Sequence, residues 1–463
     1  MSDRYLHTKG IGAICLVGGL GERLANLTWP RTKAAVMFGP AILSAFSTSS
    51  ALNSHVPYVI LATQHRPYSL KKFYSDFHHG NYGAGKRIEA IDPLDTSDAP
   101  KYKGTADAFY QALGIAERRK PKYILGLSGD HVVKLDFENL FEQYLSFEQS
   151  PDYKGADFVV FTQKVKREDV NRFGILIKDG TRIVDFKEKP KLEELPDQEE
   201  FDASMGIYFA PTKIWREVLE SDQAKRPYSN DSKLEKDPLT QTQHDIGGDI
   251  IPSLISKYDV RAFIFEGYWR DVGIPSALYE TQMDILIKRK PDLFGDPAWK
   301  IESINQPHFH SHKDDERYFT AGRFDVSKSK INDSIFSPGV EGNLANILNS
   351  IFFGESQYGT TIGNDSHIER AIVDKDIKIG NKTILKAPPN HLILISRQTT
   401  IPNKTRIEAN DDAIVAPLEE LLYHVDNIIG FRKRVSPGVE LYLPNGTQVK
   451  IEELMEELLR KSH

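Results

Sequence analysis

Gly18, Gly19 and Gly21 follow directly on the apolar stretch Ile14–Val17, and Arg23, Arg31 and Lys33 come next. Glycine lets the backbone approach a ligand closely and turn its N–H groups inward, which suits a phosphate chain. Arginine then offers a planar fork of donors, and lysine a mobile point charge. The segment CLVGGLGERLANLTWPRTKAAVMFG, residues 15–39, therefore reads as a loop that holds a chain of phosphates. It lacks the GK[ST] ending of a P-loop, and Leu24 stands where a dinucleotide fingerprint has its third glycine. Asp130 closes another apolar stretch, YILGLSGD. Cys15, the only cysteine, lies within the first apolar run and reads as a small buried residue, not a nucleophile.

The elements that must position these groups are legible as short apolar runs at residues 14–17, 58–62, 123–127, 158–162 and 206–209. Helical patterns lie between several of them, as in ADAFYQALGIAERR, residues 106–119. This alternation predicts an α/β domain with a mostly parallel central sheet. Ligands of such sheets bind where strand ends run into loops, which is where Gly18–Arg23 and Asp130 fall. A first, α/β domain over 1–290 is followed by an irregular connector over 291–324. From 325 to 463 short repeats such as INDSIFSPGVEG and ERAIVDKDIKIGNKTIL set an aliphatic position every few residues between Gly, Asn or Asp turns. That spacing predicts a parallel β-helix, with the apolar-periodic tail IEELMEELLRK as a terminal helix.

A formal net charge of −6 argues against a general nucleic-acid binder. Absence of an apolar run of about 20 residues argues against a membrane span. A single cysteine permits no internal disulfide and suits a cytoplasmic location.

Taken in order, GGLGERL, RTKAAVMFG, ATQHRPYSL, GTADAFYQA, LSGDHVVKLDF, FKEKP, ASMGIYFAP, DIGGDIIP and GYWRDVGIPSALYETQMDI resemble the sugar-nucleotide pyrophosphorylases, most of all the glucose-1-phosphate adenylyltransferases. The resemblance implies a Rossmann-like nucleotidyltransferase domain followed by a left-handed parallel β-helix. It implies transfer of the adenylyl group of ATP to glucose 1-phosphate, giving ADP-glucose and pyrophosphate for glycogen or starch-like glucan synthesis. By the same resemblance Arg23, Lys33 and Asp130 are catalytic, and Asp130 and Asp271 bind Mg²⁺. Gly18, Gly19, Gly21, Gln64, Gly104 and Thr105 bind the nucleotide, while Glu188, Lys189, Ser204 and Asp249 bind the sugar phosphate. An allosteric homotetramer, or a hetero-oligomer with a related subunit, is also implied. The chain departs from the family pattern at Ala34, at Pro30 and over Pro40–Ser50, a segment that borders the site in relatives. Use of UTP or another nucleotide, and a role as a non-catalytic regulatory subunit, stay open at this stage, as does the effector.

Overall fold

The computed structural model describes residues 10–77, 82–85, 87–94, 101–138, 140–141, 156–227, 240–303, 308–311, 317–320, 328–337, 339–342, 344–354 and 359–461. Nine strands form the central sheet: β1 (Ile11–Leu16), β2 (Val59–Ala62), β3 (Ile88–Ile91), β4 (Tyr123–Ser128), β5 (Phe158–Lys166), β6 (Gly174–Asp179), β7 (Arg182–Glu188), β8 (Glu200–Pro211) and β9 (Val260–Ile264). Their order is β3-β2-β1-β4-β8-β5-β9-β7-β6. β1 is parallel to β2 and β4, β2 to β3, and β5 to β9. β8 runs antiparallel to β4 and β5, so the sheet is mixed beyond its first, parallel half.

Both faces of the sheet are buried along β1, β2 and β4, which is why these strands read as nearly continuous apolar runs. Ala13 and Cys15 of β1 face one core with helices α1 (Leu43–Asn53) and α2 (Tyr68–Phe77). Ile14 faces the other core, with α3 (Thr105–Ala116) and α4 (Thr212–Gln223). α1 is unusual, because its serines and threonine are buried as completely as its apolar residues. They are satisfied internally: Ser47 donates to the Ser128 carbonyl at 2.6 Å, and Ser50 and Ser54 accept from the backbone N–H groups of Leu135 and Phe137. The divergent Pro40–Ser50 segment thus forms a strut beneath the end of β4.

Downstream, three strand positions recur in strict rotation and build three parallel sheets, the predicted β-helix. Ile331, Ile347, Ile368, Leu385 and Ile407 stack in register along one sheet. Asp333, Asn349 and Arg370 turn successive corners at φ of 42°, 47° and 57°. Asn and Asp tolerate that region better than other side chains, which explains the polar turns in the repeats. The largest sheet begins earlier than expected. Residues 291–324, read as a connector, contain His308–Ser311 and Arg317–Thr320, which pair with each other and then with Ser334–Phe336. Alternate residues of this sheet, Ile335, Ile351, Ile372, Leu394 and Ile414, join the same core as β1 and α1, so the β-helix is packed directly against the α/β domain.

Helices α5 (Leu418–Tyr423) and α6 (Val425–Arg434) follow, and the chain ends in α7 (Ile451–Lys461), as its periodicity predicts. Among the described residues no helix is long and apolar enough to cross a membrane.

Candidate active site

The site is built on the ends of β1 and β4. These ends are locked together, since Gly129 N–H donates to the Leu16 carbonyl at 3.0 Å and a Cβ on Gly129 would lie 2.4 Å from Val17 Cγ1. The glycine loop leaves β1 here. Gly21 adopts φ +69°, and a Cβ at this position would lie 2.8 Å from Lys33 Cβ. Only glycine therefore allows the loop to fold back over the lysine. Thr32 secures the return by donating to the Val17 carbonyl at 2.6 Å. Gly18 and Gly19 line a cavity of about 390 Å³ together with Gln64, Tyr102, Gly104 and Thr105. Tyr102 N–H donates to Gln64 Oε1 at 2.5 Å, which fixes the amide with its nitrogen left to donate. Gly104 is required by close packing: a Cβ would stand 2.3 Å from the His244 carbonyl oxygen.

Asp130 and Asp271 are brought together by a two-stranded antiparallel ribbon in which Trp269–Asp271 pairs with His131–Val133 and Asp271 lies opposite His131. Lys33 sits between the carboxylates, its Nζ 2.5 Å from Asp130 Oδ2 and 3.4 Å from Asp271 Oδ1. Burial alone would lower the Lys33 pKa, but the two carboxylates outweigh it and hold the pKa above its ordinary value. Burial likewise works to raise the pKa of Asp130, yet Lys33 and His131 pull it far below the usual carboxylate range. Asp271 is lowered in the same way, with Arg172 adding to the pull of Lys33 and His131. All three groups are therefore held in their charged forms. Donor atoms of Asp130, His131 and Asp271 lie within 4.8 Å of one another. Two carboxylates that already face one positive centre are hard oxygen donors that fit Mg²⁺. Arg23 joins the group through Gly273, where a Cβ would lie 2.9 Å from Arg23 Nη2 and 3.1 Å from both Asp271 oxygens.

A second cavity of about 310 Å³ opens beside the first, and Leu16, Lys33, Thr105, Ser128 and Asp130 line both. Its further walls carry Arg23, Arg172, Glu188, Lys189, Ser204, Tyr208, Asp245 and Asp271. Lys189 Nζ lies 2.6 Å from Glu188 Oε1. The cations Arg23, Lys33, Arg172 and Lys189 thus balance the carboxylates Asp130, Glu188, Asp245 and Asp271. Two adjoining cavities with a shared cationic and acidic wall can hold two anions side by side.

Of the residues singled out in the sequence, Gly18, Gly19, Gln64, Gly104 and Thr105 come together in the first cavity, and Arg23, Glu188, Lys189, Ser204 and Asp271 in the second. Gly21 shapes the loop from behind. Asp249 is not brought to either cavity. Its carboxylate is taken up by the backbone N–H groups of Gln243 and Asp245, at 3.0 and 2.9 Å. Asp245 takes the place at the wall, accepting from Thr105 Oγ1 at 3.0 Å and from Gly248 N–H at 2.8 Å. Sequence reasoning also missed Tyr208, Arg172 and His131. Tyr208 follows Ser204 by four residues on β8, so its presence in ASMGIYFAP was a usable signal. Arg172 gives no signal of its own in the run REDVNRFG.

The sequence matches the nucleotidyl transferase family over residues 12–288. It is 32% identical over 398 residues to a glucose-1-phosphate adenylyltransferase of Rhodopirellula baltica, covering 80% of this chain and 83% of the relative. A glucose-1-phosphate adenylyltransferase of Bacillus mycoides is 31% identical over 393 residues, covering 82% of this chain and 95% of the relative. With the strand-end cavities and converging carboxylates, these matches leave one conclusion: the chain belongs to the nucleotidyl transferase family and, within it, to the glucose-1-phosphate adenylyltransferases.

Proposed function

We infer that this chain transfers the adenylyl group of ATP to glucose 1-phosphate, releasing pyrophosphate and forming ADP-glucose as a glucosyl donor for glycogen or starch-like glucan synthesis. The observation that carries this reading is the convergence of Lys33, Asp130 and Asp271 on the wall shared by two cavities. In this reading the glycine loop and Gln64 hold the nucleotide. Lys189, Glu188, Ser204 and Asp245 hold the sugar phosphate. A phosphate oxygen of glucose 1-phosphate attacks the α-phosphorus of ATP, the bond to the bridging oxygen breaks, and that oxygen leaves with pyrophosphate. The attacking group is already ionised, so no general base is needed. Catalysis rests on alignment and on charge neutralisation. Lys33 and Arg23 supply fixed positive charge to the α-phosphate and the leaving group. Asp130 and Asp271 would hold Mg²⁺, which when bound offsets phosphate charge and helps align the two substrates.

The family resemblance supports assembly as a homotetramer or with a related subunit, and control by an effector. The single buried Cys15 is in keeping with a reducing cytoplasm. Pyrophosphate release with Mg²⁺ and glucose 1-phosphate, compared across ATP, UTP, GTP, CTP and dTTP, tests the proposal. ATP is expected to give the fastest release. A faster rate with another nucleotide would keep the chemistry and move the pathway. No release from any of the five by folded protein would overturn catalysis in favour of a regulatory subunit.

A further inference from the structure

We infer that Arg172 is a binding residue for the phosphate of the sugar-phosphate substrate, an inference that rests on the function proposed above. Arg172 lies just before β6, and Lys189 just after β7, at the same end of one antiparallel hairpin. Lys189 N–H donates to the Phe173 carbonyl at 3.0 Å, so the backbones that carry the two cations are anchored side by side. Both line the second cavity. Arg172 Nη2 lies 3.5 Å from Asp271 Oδ2, beyond ordinary hydrogen-bond length. This guanidinium therefore stands beside the Asp271 carboxylate in the cavity that Lys189 also lines, the cavity an attacking phosphate would occupy next to the nucleotide.

The rest of the side chain is held ready for that role. Arg172 Nη1 pairs with Asp169 Oδ1 at 3.0 Å, and the guanidinium carbon lies 5.3 Å from the centroid of the Phe173 ring. One edge of the fork is tied down, while among the described residues the other edge has only a loose ion pair. A phosphate oxygen is a better acceptor for that edge than a carboxylate 3.5 Å away, because arginine binds oxyanions best through short, planar, paired hydrogen bonds.

The alternative role is structural, in which Arg172 only steadies Asp271. The two roles differ in what they disturb. Binding of glucose 1-phosphate would be measured by calorimetry in wild type, Arg172→Ala and Arg172→Lys, alongside Mn²⁺ binding by electron paramagnetic resonance. Arg172→Ala is expected to weaken glucose 1-phosphate at least tenfold with Mn²⁺ affinity within twofold of wild type, and Arg172→Lys to fall between. Unchanged sugar-phosphate affinity in folded Arg172→Ala, or a loss confined to Mn²⁺, overturns the inference. Tight sugar-phosphate binding by wild type without pyrophosphate release from any nucleotide would sink the proposed reaction and leave Arg172 standing. Failure of wild type to bind glucose 1-phosphate at all would overturn both.

Discussion

Lys33 is an ammonium group shared by two carboxylates and only 7% exposed. Asp130→Asn removes one of those partners and half of the oxygen set suited to Mg²⁺, and pyrophosphate release is expected to drop by about 10²–10³-fold. The pH response of this cluster has a definite sign. The folded pKa values of Asp130 and Asp271 are lowered, so their contribution is present above the unfolded carboxylate value and is lost as pH falls through the folded ones. The pKa of Lys33 is raised, so its contribution is present below the ordinary 10.5 and is lost only as pH rises beyond it. Thermal unfolding of wild type and Asp130→Asn should therefore run parallel between about pH 5 and 9. Much at this scale was legible in the sequence, because glycines, cations and an aspartate at strand ends report their setting locally. Asp249 shows where such local reports stop. In DIGGD both aspartates look alike, and only the fold shows that the second is consumed by the backbone of its own turn.

Among the elements, α1 shows why composition misleads. LSAFSTSSALN is half polar in composition, yet each of Ser44, Ser47, Thr48, Ser49 and Ser50 is buried and serves as a hydrogen-bond fitting. Ser47→Ala would leave the Ser128 carbonyl without that donor, at a cost of about 1–3 kcal/mol in a urea unfolding experiment. The helices after the β-helix carry a pH response of their own. Burial and then the Asp374 carboxylate push the Glu420 pKa up to about 7. A raised acid stabilises the fold below the unfolded value and loses that contribution as pH climbs towards 7. Burial, then Arg66 and His65, lower the His424 pKa to about 4. A lowered base works the other way, and stability is lost as pH falls from about 6.5 towards 4. Glu420→Gln should unfold about 1–2 °C above wild type at pH 8 and with it at pH 4.5. His424→Phe keeps a ring against Trp29, whose ring centroid lies 4.3 Å from that of His424, and should gain on wild type at pH 5 but not at pH 8.

At the scale of the whole molecule, the β-helix holds the glycine loop in place. Arg31, two residues before Lys33, forms an ion pair with Asp374 at 2.8 Å, and both side chains are completely buried. Asn26 donates to Ser396 Oγ at 3.0 Å, and Arg434 pairs with Glu22 at 2.7 Å. The loop that carries Arg23 and Lys33 is thus fastened at several points to the other end of the chain. Asp374→Asn would strand the Arg31 charge and cost about 3–5 kcal/mol, whereas Arg31→Met with Asp374→Leu should recover most of it. ATP affinity should fall with the single substitution, measured as a rise in KM on the folded variant. The repeats announced the β-helix through their turn residues, but nothing in them announced which sheet would face inward. Strands such as AIV and ILI are apolar throughout because one of their faces fills the prism and the other fills the catalytic domain, a tertiary fact with no local signature.

Cys15 is the molecule's one thiol, buried in the middle of the central sheet, with its pKa driven upward first by burial and then by Asp130. A neutral, enclosed thiol does not react until the sheet around it parts. Its rate of labelling by a thiol reagent is therefore a clock for the opening of the sheet beneath the site. Any substrate that binds only the closed form must slow that clock by the factor 1 + [L]/Kd. One cysteine makes each ligand's affinity readable without turnover, in the unaltered chain.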